Sequence, residues 1–147
     1  MKEFIFNLLN LNMFLANKIR ATQAYDEALA YANANEHRKA APLLKEAAEL
    51  GNADAMAVYG SALLLGKGVQ ENGPEAVKWL QLAIEKKQAG AASVLGMAYA
   101  TGKAGIKPNH KLARELLTQA AAEGDQKSAE MLDMMDKKKG IFKHLTA

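Results

Sequence analysis

A chain of 147 residues has the length of one domain and can close a continuous core without covalent staples. It contains no cysteine, which excludes a disulfide framework, a thiolate metal site and a cysteine nucleophile. Nineteen basic and 16 acidic residues leave a net charge of +3, interspersed along the chain rather than gathered into the basic stripe of a nucleic-acid binder. Half of the residues are hydrophobic, many of them alanine, and only three are proline, so an all-α protein is expected.

In chain order, residues 1–20 are expected to form an amphipathic helix covering the end of the domain, because Phe4, Leu8, Leu11 and Leu15 recur at helical spacing and Ile19 follows. Glu3 dilutes the basic start, and Asn7, Asn10 and Asn12 interrupt the apolar run, unlike a cleaved signal or a membrane span. The expected location is cytoplasmic, with a periplasmic one if Met1 to Ala16 is an atypical signal. Residues 21–51, 52–88 and 89–124 then read as three helical hairpins, 125–139 as a capping helix and 140–147 as a tail. Lys137, Lys138, Lys139 and Lys143 read as a solvated helix end.

The hairpins repeat one another. Ala40, Ala76 and Ala113 share a column, as do Leu44, Leu80 and Leu117, and Ala47, Ala83 and Ala120. Leu43 and Leu116 fall on Trp79, the only tryptophan, whose expected role is core packing. In the preceding helices Gly60 falls on Gly96 and Gly66 on Gly102. The first of each pair implies close helix approach, the second a left-handed helix end. Asn52, Asn109 and Asp125 are expected caps, and Pro74 fits a first helical turn.

The columns Ala55, Tyr59–Gly60, Leu63, "GKGV", Ala76, Trp79 and Ala83 resemble the Sel1-like repeat, a relative of the tetratricopeptide repeat with a longer loop. Residues 89–124 carry "GKAGI" as a slightly longer version of that loop. Tyr25 to Gly51 lacks the loop and looks more like a plain tetratricopeptide repeat. The resemblance implies a right-handed α-solenoid of about three helix-turn-helix repeats, with an N-terminal helix and a C-terminal capping helix. It also implies a non-enzymatic, bacterial-type module that holds another protein against a concave surface.

The residues themselves offer little chemistry. "GSALLLGKGV" approaches a phosphate-binding loop, but it has one residue too many before Gly-Lys, and Gly68 stands where Ser or Thr would hold magnesium. His37 and His110 occupy equivalent positions two repeats apart, too far for one ion. No catalytic residue, cofactor or metal is therefore expected, and neither a small-molecule substrate nor nucleic acid as partner. The expected partner is a protein, as a peptide segment or as a cognate toxin or effector, the latter making the chain an immunity protein. Homo-oligomerisation is compatible with the same surfaces. If Ala55, Tyr59 and Leu63 point inward, the partner face comprises Tyr25, Leu29, Ala57, Ser61, Leu64, Ser93, Met97, Thr101, Met131 and Met134, with Met135 nearby.

Overall fold

A computed structural model describes the backbone of residues 1–145 and the side chains as far as Gly140. Seven helices follow in order: α1 (Lys2–Asn33), α2 (His37–Glu49), α3 (Ala53–Leu65), α4 (Gly73–Glu85), α5 (Ala91–Thr101), α6 (His110–Ala122) and α7 (Gln126–Leu145). A short 3-10 turn, Lys103–Gly105, lies in the loop after α5. There is no strand among the described residues. α1 pairs with α2, α3 with α4 and α5 with α6, and each pair stacks on the next through α2–α3, α4–α5 and α6–α7 contacts. α3 and α5 also touch, as do α5 and α7, so the first helices of successive hairpins form one layer of an all-helical solenoid.

The boundaries have local causes. Asn52, Asn72 and Asn109 each cap a helix by accepting a backbone N–H three residues on, from Ala55 at 2.8 Å, Glu75 at 3.1 Å and Leu112 at 3.0 Å. Asp125 caps α7 in the same way through Ser128 at 2.7 Å. Pro74 occupies the first turn of α4, where its missing N–H costs no helical bond. His37 and His110 are the first residues of α2 and α6.

The core consists of the repeat columns. Leu80 and Leu117 have no exposed surface, nor do Ala47, Ala55, Ala76, Ala83, Ala91 and Ala113. Gly60 and Gly96 let the paired backbones close onto those leucines. A Cβ at Gly60 would stand 2.8 Å from Leu80 Cγ, and one at Gly96 2.9 Å from Leu117 Cγ. Trp79 is half-buried and meets Tyr59 edge to face, with ring centroids 5.9 Å apart at 73°. Between hairpins, Gly68 is in the left-handed region at φ +70°, and a Cβ there would collide with the His37 carbonyl at the start of α2.

The two ends of the chain differ from the sequence-based expectation. No break separates residues 1–20 from 21–33: α1 is one 32-residue helix, about 48 Å long at ~1.5 Å per residue. Neither glycine nor proline occurs before Pro42, so nothing interrupts it. Residues 2–20 are exposed; Arg20 reaches Glu46, and Phe14, Asn17 and Lys18 border a hollow against Leu50, Asn52 and Asp54, so the turns before Phe14 project from the solenoid instead of covering its end. At the other terminus α7 continues through Gly140 to Leu145, beyond the expected limit at residue 139. A lone glycine costs a helix only about 1 kcal/mol and does not stop it. The side chains of Lys143 and His144, and residues 146–147 of the expected tail, lie outside the described residues.

Candidate functional site

The layer of first helices presents its outer face to solvent. The sequence offset that superposes Gly60 on Gly96 also places Tyr25, Ser61 and Met97 at one position of α1, α3 and α5. Leu29, Leu65 and Thr101 form a second such column one turn on. Tyr25, Leu29, Ser61 and Met97 are half-buried, whereas Leu65 and Thr101 are exposed.

Ser61, Leu64, Leu65, Val94, Met97 and Thr101 together line a hollow of about 250 Å³ between α3 and α5, with Lys103 at its edge. A second hollow of about 240 Å³ lies one repeat earlier, between α1–α2 and α3, and Ser61 and Leu65 border it too. Val58 and Ala32 line its walls. The two hydroxyls in the first hollow are satisfied within their own helices. Ser61 Oγ donates to the Ala57 carbonyl at 2.8 Å and Thr101 Oγ1 to that of Met97 at 2.9 Å. The Lys103 ammonium at the rim lies 3.4 Å from a Glu71 carboxylate oxygen. The lining is thus apolar, without a free polar anchor for a small polar ligand.

Two expected face residues, Ala57 and Ser93, are not on that face, and a third, Leu64, is buried beneath it. Ala57, Leu64 and Ser93 are 8%, 4% and 6% exposed. Ala57 and Ser93 occupy one column, which is turned toward the next repeat and so is covered when helices stack side by side. Leu64 reaches the hollow only as part of its floor. Val58, Leu65 and Val94 line the hollows although they lie outside the face expected from the sequence. The signal for Leu65 was its position four residues after Ser61, on the same helical face. Met131 is half-buried and Met134 is 52% exposed on α7, apart from the hollow.

Ser93 instead joins a small polar cluster between α5 and α7. Its Oγ donates to Asp125 Oδ2 at 2.9 Å and accepts from Ser128 Oγ, also at 2.9 Å. Hydrogen bonds from Ser128, then Ser93, hold the Asp125 carboxyl below its ordinary range, since they favour the anion. The Asp125 carboxylate is occupied by the Ser128 N–H and the Ser93 hydroxyl, and the geometry serves helix capping. Among the described residues no group of His, Asp or Glu is placed to hold a metal ion. "GSALLLGKGV" provides no phosphate cradle: Gly60 is buried mid-helix against Leu80, and Gly66 is the end of α3.

Comparison with known proteins fits this geometry. A Sel1 repeat family model matches residues 25–52, 53–87 and 89–125, so the first hairpin is included despite its shorter loop. The structure resembles that of a protective antigen from uropathogenic Escherichia coli with an SLR fold, at 28% identity and a TM-score of 0.72. That match covers 78% of this chain, which spans only 25% of the antigen. A Sel1 repeat protein from Oxalobacter formigenes matches at 25% identity and a TM-score of 0.65, over 84% of this chain and 97% of the other. A search of curated proteins gives no match. Sel1 repeats generally mediate protein–protein interaction. No helix among the described residues is long and apolar enough to cross a membrane.

Proposed function

The chain belongs to the Sel1 repeat family, and from that premise we propose that it is a non-catalytic adaptor holding a segment of a partner protein along α1, α3 and α5. The observation carrying this reading is the pair of apolar hollows that share Ser61 and Leu65. Hollows recurring once per repeat receive successive apolar side chains of a helix or extended peptide. Met97 supplies an adaptable wall for such a segment. Neighbouring charges such as Lys67 and Lys103 set its register rather than its affinity.

The test begins with affinity capture from the native organism, followed by titration of the purified partner into the full chain. Ser61→Arg and Met97→Arg each place a long charged side chain in a hollow while leaving the core leucines untouched. Each is expected to weaken binding at least tenfold with unchanged far-UV circular dichroism. Unchanged affinity would remove the hollows from the reading. A single stoichiometric toxin, neutralised on binding, would make the adaptor an immunity protein; several unrelated partners would favour a scaffold.

A further inference from the structure

The projecting half of α1 is a different surface from the hollows. Ile5, Leu8, Asn12, Leu15 and Ile19 follow the alternating three- and four-residue steps of a heptad seam, with Ile at the a positions, Leu at d, and Asn12 at the central a. The four apolar members are 46–60% exposed, and Phe4, Leu9 and Leu11 widen the strip at the flanking e and g positions. At about 100° per residue, this strip lies roughly half a turn from Ala21, Ala24 and Ala28, the side of α1 that packs on the solenoid. The chain's own hollows therefore cannot cover the strip while α1 remains one helix.

We propose that residues 2–22 of α1 pair with the same segment of a second copy as a short parallel two-stranded coiled coil. Three observations select this occupant. β-Branched residues at a with Leu at d favour two parallel strands, and one Asn at a sets their register by pairing with its twin. The strip exposes on the order of 700 Å² of apolar side chain, above what monomers usually leave open and near the ~800 Å² per partner of a standard interface. Because the seam and the alanine side are opposed, pairing through the seam would leave each solenoid on the outer side of the pair. A lipid surface fits less well. Opposite the strip, exposed Phe6, Met13 and Phe14 interrupt Asn10 and Asn17, so the segment has no continuous charged face with which to lie on a membrane, and Asn12 would enter the apolar layer without a partner. A dimer would present two sets of hollows, splayed from one stalk.

The experiment is light scattering and sedimentation equilibrium on the full chain at high micromolar concentration, where a dimer is expected. Leu8→Glu combined with Leu15→Glu should give a monomer with the same solenoid unfolding transition, as both side chains are exposed on the side of α1 opposite its packed alanines. Asn12→Val should broaden the dimer into a mixture with larger oligomers. The chain has no cysteine, so Ile5→Cys should crosslink to itself on mild oxidation if the strands are parallel. Crosslinking of Ile5→Cys only to Ile19→Cys would overturn the parallel arrangement. A monomeric wild-type chain would overturn the pairing, including one that is monomeric in buffer and sediments with anionic phospholipid vesicles.

Discussion

Gly60 and Gly96 show how a residue without a side chain places one with a large side chain. Each lies inside a helix, where glycine is unfavourable, and each faces a fully buried leucine within 3 Å of where a Cβ would stand. Gly60→Ala is therefore expected to destabilise the fold by about 1–3 kcal/mol, despite alanine's higher helix propensity. A lowered urea midpoint with unchanged m would show it; a stabilised variant would mean that α3 and α4 can part freely. Asp125 gives a pH-dependent counterpart. Its folded-state pKa is depressed by Ser128 and Ser93, so its contribution is present above the unfolded pKa and disappears as pH falls through the folded one. Asp125→Asn should flatten this acid limb of stability, read from urea midpoints between neutral and acid pH, while leaving α1–α6 helical.

The elements owe their ends to the same few residues, of which Asn52, Asn109 and Asp125 are legible in the sequence and Asn72 is found only in the structure. The three Asn caps and the Asp cap recur at loop–helix junctions, where a short polar side chain satisfies otherwise unpaired N–H groups. Asn109→Ala is expected to cost about 1 kcal/mol. Hydrogen exchange should then show faster opening at the first turn of α6, and unchanged protection there would remove the cap from the account. The extents of α1 and α7 were harder to read. The apolar pattern changes character near residue 20, but helix geometry responds only to breakers and packing, and neither intervenes there. Arg20 marks the transition: its guanidinium makes two bonds to the Glu46 carboxylate, at 2.7 and 2.8 Å, where the helix reaches the solenoid. The pair holds Glu46 below its ordinary range, yet both side chains remain well exposed.

For the whole molecule, stability is a sum of hairpins and of the contacts between them. Gly68 lies at one such contact, where its loop meets the first turn of α2, and no side chain fits there. Gly68→Ala should uncouple the first hairpin from the second. The expected result is a broadened thermal transition, with residues 21–51 exchanging amide protons before 89–124. A single sharp transition at the wild-type temperature would show that the loop contact carries no coupling. Spacing alone reveals the repeat, most of its caps, its alanine–leucine core and the family resemblance, because each depends on positions within one helix or one hairpin. Tertiary structure decided which outer residues remain open. Neighbouring repeats cover Ala57 and Ser93 and leave Leu65 and Val94 beside a hollow, a consequence of how far each helix is rotated against the next. It also decided that the apolar side of α1 faces away from its own solenoid, since the rotation of that helix is set by where Ala21, Ala24 and Ala28 pack.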